Sequence, residues 1–263
     1  MTTSFVSSSS SAVSLDPTEP PADRLVSRIG SQGFAVVGAG VLSSRLGDPP
    51  VELRGLAHHW DDLPADAYLL DGGKYRFRRH GCFVHHVEDG RLEPVPERAH
   101  FQPTTYNALH GGLDRWFSPL APELANAASF TRLVEGLGRV FAEVRAPESS
   151  RWYVEAHAFR IDTKDGVGRP TPEGAHRDGV DFVAVVFVGR ANVTGGETRV
   201  FEAHGPHGVR FSLREPWSAL LLDDTRVIHE TTPIVPAGQS GRRDTLVLTY
   251  RSRDFQSRES QAR

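Results

Sequence analysis

Apolar and polar positions are patterned differently in the two halves of this chain. In the second half, Trp152 to Ile161, Phe182 to Val188, Thr198 to Phe201, Val209 to Leu213, Ser218 to Leu222, Val227 to His229 and Thr245 to Tyr250 are short β-type runs separated by Gly, Pro and Asp clusters. That spacing predicts a sandwich or jelly roll, and the lack of strands alternating with long helices disfavours a doubly wound sheet. In the first half, Pro21 to Ile29 fits a short amphipathic helix and Phe34 to Val37 a buried strand. Residues 40 to 100 mix turn signals at Gly72-Gly73 and Asp89-Gly90 with strand-like pieces at Tyr75 to Arg79 and Cys82 to Val87. Leu124, Ala128, Leu133, Leu137, Val140 and Phe141 recur at helical spacing, which predicts a helix from Pro122 to Val144. The expected protein is mainly β with flanking helices. A Ser/Thr-rich tail over residues 1–20 reads as disordered. A single domain follows over 21–263, with helical support mainly in 21–150 and the β core mainly in 151–252.

Composition changes this picture little. Hydrophobic residues make up 38% and charged residues 24%, and a net charge of −3 with scattered basic residues argues against a nucleic-acid partner. Cys82 is the only cysteine, so neither an intrachain disulfide nor a cysteine-based zinc site is available. The N-terminus lacks the basic region and apolar core of a signal peptide, and no run is long enough to cross a membrane as a helix. The expectation is a cytoplasmic protein acting on a small molecule.

The chemistry concentrates in Pro172-Glu173-Gly174-Ala175-His176-Arg177-Asp178-Gly179, followed by His229 after the apolar run Ala219 to Leu222. On an extended segment, His176 and Asp178 point to one face, and a return strand can bring His229 beside them. Two imidazoles and a carboxylate form the facial triad of non-haem Fe(II) oxygenases. Other histidines fit less well: His85-His86 would face opposite ways on a strand, and His204 and His207 sit in a Gly/Pro loop. No H-E-x-x-H occurs, which excludes a zincin.

The stretch Pro172 to Phe182 resembles the metal-binding signature of the 2OG-Fe dioxygenase family typified by bacterial L-isoleucine dioxygenase. Arg190 to Glu197, Asp224 to His229 with Thr232-Pro233-Ile234, and Arg243 to Val247 extend the likeness over most of residues 152 to 250. It continues weakly through Phe101 to Asn107 and on to Leu120. The resemblance implies a double-stranded β-helix core of the jelly-roll, cupin-like type, Fe(II) held by His176, Asp178 and His229, and 2-oxoglutarate and O2 as cosubstrates. It further implies hydroxylation of a free L-amino acid. A retained Asp178 favours hydroxylation over halogenation.

The far carboxylate of 2-oxoglutarate needs a buried cation, and the resemblance places Arg243 there. Thr245, two positions on, shares its face, whereas the neighbouring Arg242 points the other way. Candidate substrate contacts are Gln102 and Tyr106 in a covering segment and Glu155, His157 and Arg160 on the first core strand; Asp181 and Asn192 are candidate braces of the metal loop. Desaturation or cyclisation at the same iron, and a non-catalytic metal-binding cupin, are the alternatives.

Overall fold

The computed structural model describes residues 15–47 and 50–258. In chain order it contains α1 (Leu25–Gln32), β1 (Phe34–Val37), α2 (Ala39–Leu46), α3 (Pro50–Arg54), β2 (Arg76–His86), β3 (Leu92–Pro94), α4 (Pro122–Ala125) and α5 (Ala128–Val144). The β core follows as β4 (Arg151–Asp162), β5 (Phe182–Ala191), β6 (Val193–Gly195), β7 (Thr198–Glu202), β8 (Gly208–Phe211), β9 (Ala219–Asp223), β10 (Val227–Thr231), β11 (Ile234–Pro236) and β12 (Arg242–Arg251). Seven strands in the order β1-β9-β5-β12-β4-β2-β3 form an antiparallel major sheet. Facing it are β10-β7-β8 and the small β11-β6 pair, and together they make the expected jelly roll.

Strand parity explains how one sheet serves two environments. On the outer face, Trp152, Val154, Ala156 and Ala158 of β4 and Leu246, Leu248 and Tyr250 of β12 are buried under α1, α2 and α5. Burying each such large side chain stabilises the fold by about 1.5–3 kcal/mol. Two polar tips are satisfied across this layer: Trp152 Nε1 donates to the Gly138 carbonyl at 2.9 Å and the Tyr250 hydroxyl to the Val134 carbonyl at 2.9 Å. On the inner face, one end is closed by Phe34, Val183, Phe187, Leu220 and Leu222. The other end is lined by polar groups and opens into a cavity.

The structure departs from the sequence expectations in several places. The predicted helix from Pro122 is interrupted after Ala125, and the long helix begins at Ala128. The two strand-like pieces around residue 80 are one strand, β2, of eleven residues. Most of the expected tail, residues 1–14, lies outside the described residues. Its end does not run free: Asp16 is ion-paired with Arg28 at 2.8 Å and its backbone is bracketed by the Gln32 amide. Among the described residues, no helix is long and apolar enough to cross a membrane.

Candidate metal centre and cavity

His229 stands on β10 and its side chain points into the roll. The segment carrying His176 and Asp178 runs antiparallel to it, and His176 and His229 exchange both backbone hydrogen bonds, at 3.0 and 2.9 Å. This cross-strand pairing brings the two rings to 4.7 Å between centroids. Asp178 completes the group, with Oδ1 3.8 Å from His176 Nε2 and Oδ2 3.9 Å from His229 Nε2. One donor atom from each residue lies within 4.8 Å of the others. His176 Nδ1 is 2.9 Å from the Gly174 carbonyl, which places the ring proton on Nδ1 and leaves the Nε2 lone pair facing the other two donors. Burial disfavours the charged His176 ring, but Asp178 and Glu173 outweigh it and raise its pKa, whereas burial with His176 alongside pushes that of His229 well down.

The segment after His176 is shaped by Asp224. Its carboxylate accepts the backbone N–H groups of Asp178 at 3.0 Å, Gly179 at 2.8 Å and Val180 at 3.1 Å. Burial, with the Asp178 charge beside it, pushes the Asp224 carboxyl up to about 7. Gly179 has φ +77°, and a Cβ there would meet the Tyr106 ring and Gln256, so the turn requires glycine. Gln256 donates to the carbonyls of Asp178 at 3.1 Å and Gly179 at 2.8 Å, and Gln102 Nε2 to Asp178 Oδ1 at 3.2 Å. Asp181 instead ties down Ser252, and Asn192 lies in the turn between β5 and β6, away from this loop.

Across the cavity, the inner face of the major sheet is layered by register. Arg243 on β12 and Arg76 on β2 flank Ile161 of β4, Thr245 and Arg78 flank Phe159, and Val247 and His80 flank His157. Arg243 is buried, its Nη2 has no partner within the protein, and burial pushes its pKa down to about 10. Arg242 points outward and is paired with Asp244 at 3.3 Å. His176, Asp178 and His229, with Arg243 and Thr245, all line one cavity of about 130 Å³, with Val180, Val185 and Val247 as apolar wall.

The remaining sequence-derived candidates divide. Gln102, Glu155 and His157 line the cavity. Tyr106 does not; it packs against Gly179 with Arg177 over its ring at 5.8 Å. Arg160 also belongs elsewhere: by parity it lies on the outer face, bidentate to Asp244 at 2.8 and 2.9 Å. It is odd-numbered positions of β4 that face inward, so Arg160 cannot share a side with Glu155 and His157. Glu155 is saturated rather than free, its Oε2 lying 3.0 Å from His80 Nε2 and 2.5 Å from His100 Nδ1. Burial raises the Glu155 carboxyl, yet these imidazoles together hold it well below the ordinary range. The sequence reading missed Asp224, Gln256, Glu173 and the arginines Arg76, Arg78 and Arg115. The available signal was the polar alternation Arg76, Arg78, His80 around Phe77.

Comparison with known proteins agrees with this architecture. A search among curated proteins finds no match. Among solved structures, a bsmA homologue from Methylobium petroleophilum is 55% identical, with a TM-score of 0.87 over 91% of this chain and 96% of that one. An IDO from Bacillus thuringiensis, at 18% identity, has a TM-score of 0.73 and spans 88% of this chain and 99% of that one. The Fe(II)/α-ketoglutarate-dependent dioxygenase TqaL, at 21% identity, gives 0.67 over 88% and 86%. The last two share the fold. The model of the 2OG-Fe dioxygenase family matches residues 57–249, and the chain belongs to that family of enzymes, which use Fe(II), 2-oxoglutarate and O2.

Proposed function

We propose that the protein hydroxylates an unactivated C–H bond of a free L-amino acid or close derivative, with His176, Asp178 and His229 holding Fe(II) and Arg243 and Thr245 holding 2-oxoglutarate. The observation that carries this is buried Arg243, its Nη2 without a hydrogen-bond partner, lining the same cavity as the His/Asp/His group. A buried cation without a partner is costly, and a dicarboxylate reaching from the metal centre would satisfy it. Iron, 2-oxoglutarate and O2 together supply the oxidation, converting 2-oxoglutarate and O2 to succinate and CO2.

The protein's own part is placement. Gly174 fixes the His176 tautomer through its carbonyl, and Asp224 fixes the backbone that carries Asp178. Gln102 holds one oxygen of Asp178 and so limits rotation of that carboxylate. Val180, Val185 and Val247 exclude water between the two polar ends, which strengthens the electrostatic interactions there.

The test is anaerobic loading with Fe(II) and 2-oxoglutarate, then exposure to air with ascorbate and a pool of proteinogenic amino acids. Succinate release stimulated by an amino acid, with a product one oxygen atom heavier, is expected. Loss of both in His176→Ala and Asp178→Ala ties them to the proposed ligands. Succinate formation untouched by those changes refutes the metal assignment. A product two hydrogens lighter would instead identify desaturation or cyclisation.

A further inference from the structure

Iron and 2-oxoglutarate do not account for the second polar wall of the cavity. Three guanidiniums, of Arg76, Arg78 and Arg115, lie there with the carboxylates of Asp66, Glu155 and Glu173 in or directly behind the lining. Asp66 is engaged by Arg76 at 2.7 Å and lies 3.7 Å from Arg78, and Glu155 by its imidazoles. Glu173 is engaged at one oxygen only: its Oε1 lies 3.6 Å from His176 Nε2, while its Oε2 is buried without a partner. So are Arg115 Nε, Arg78 Nε and Arg76 Nη2. Buried donors and acceptors are normally matched, so this wall has both kinds of group left over.

Those leftovers specify a ligand. Free donors on guanidiniums suit a carboxylate, and a free carboxylate oxygen suits an ammonium. Three cations against three anions leave the wall balanced, which suits a zwitterion better than a diacid or a polyamine. A second metal is disfavoured, although donor atoms of His80, His100, Glu155 and His157 lie within 4.8 Å of one another. Arg78 Nη2 stands 2.5 Å from His157 Nδ1 and would repel a dication.

That contact also orders the quartet. Arg78 only donates, so His157 Nδ1 accepts and its proton sits on Nε2, which faces Glu155 Oε2 at 3.6 Å. Arg78 is further fixed between the Phe117 and Phe159 rings, at 3.7 and 4.3 Å from their centroids.

We infer that this wall clamps the head group of an α-amino acid: Arg115 with Arg78 takes the carboxylate and Glu173 the ammonium. Glu155 is a positioning residue that holds Arg78 through His157. The clamp rests on the function proposed above.

The test is anaerobic calorimetry on protein loaded with Fe(II). 2-Oxoglutarate is titrated first, then each of the twenty proteinogenic L-amino acids, then the decarboxylated and deaminated analogues of the tightest binder. In the wild type each analogue should bind about 10–100-fold more weakly, the worth of a charge-assisted bond. Glu173→Gln should erase the preference over the deaminated acid and keep that over the amine. Arg115→Gln should do the reverse, and Glu155→Gln should follow the pattern of Arg115→Gln. Proportional weakening of all three ligands in every variant is what a merely structural role would give, and it overturns the clamp. Binding of 2-oxoglutarate but of no amino acid also overturns it. Failure to bind 2-oxoglutarate refutes the proposed function, and the clamp with it.

Discussion

Replacing Arg243 by methionine should have opposite effects on the empty and the loaded protein. The guanidinium is buried, packs 5.6 Å from the Phe187 ring centroid and leaves Nη2 unpartnered. Its pKa falls from the ordinary arginine range to about 10, mainly through burial with Arg190 nearby, so the group still carries its charge at neutral pH. Holding that charge inside costs about 3 kcal/mol, at ~1.4 kcal/mol per tenfold change in proton affinity. The lost cation–π contact, worth about 0.5–1 kcal/mol, and imperfect refilling by methionine offset part of the gain. A net stabilisation of about 1–2 kcal/mol is left, which for a chain of this size raises the melting temperature by about 2–6 °C. With 2-oxoglutarate the sign reverses. Two charge-assisted hydrogen bonds at about 1.5–3 kcal/mol each predict a dissociation constant raised by about 10²- to 10⁴-fold. Thermal melting of Fe(II)-loaded protein under nitrogen, with and without 2-oxoglutarate, measures both effects. An Arg243→Met protein that binds 2-oxoglutarate as tightly as the wild type refutes the reasoning. Arg242→Met, changed on the outward-facing neighbour, should leave that affinity unaltered.

Further outcomes concern the metal loop and the core. Asp224→Ala removes the acceptor for three backbone N–H groups and should weaken Fe(II) binding by about 10–100-fold, as losing such supporting partners does elsewhere; calorimetry with Fe(II) or Mn(II) checks it. Gly179→Ala strains a φ of +77° and collides with Tyr106, so it should destabilise the fold by more than about 1 kcal/mol and lower metal affinity, read by denaturant melts and the same titration. Buried His85 has both ring nitrogens unpartnered, and burial, aided by Arg139, pushes its pKa down to about 4. The unfolded chain therefore binds the proton more readily between pH 6.5 and 4, and stability falls as pH drops through that window. His85→Leu should flatten the fall by up to about 3 kcal/mol at pH 4; an unchanged slope in urea melts at pH 7, 5.5 and 4 would show that His85 does not contribute.

How much of this could be read from the sequence depended on what each strand face meets. β5 and β9 meet hydrocarbon on both faces, and their unbroken apolar runs were legible at once. On β12 the alternation Arg243, Thr245, Val247 against Asp244, Leu246, Leu248 separates Arg243 from Arg242 in the sequence itself. β2 was harder. Its inward positions are Arg76, Arg78, His80 and Cys82, of which the two arginines line a polar cavity, and an arginine-rich face reads as solvated. The same inversion hid the second polar wall and left Arg160 grouped with residues that face the other way. Asp224 stands in the sequence only as the first residue of a motif. Its role depends on three N–H groups from a segment far away in sequence, a closure that no local pattern records.

The backbone bridge between His176 and His229 bears on which ion the protein carries. Main-chain bonds hold the two imidazoles of the proposed centre together, so strand pairing sets their spacing. With two imidazoles and one carboxylate as donors, relative affinities should follow the general order in which cobalt and nickel outrank ferrous iron. Loading then becomes a contest of supply. Trace cobalt or nickel should occupy the protein durably and silence it without disturbing its fold, so that activity reports the cell's metal balance as much as the amount of enzyme.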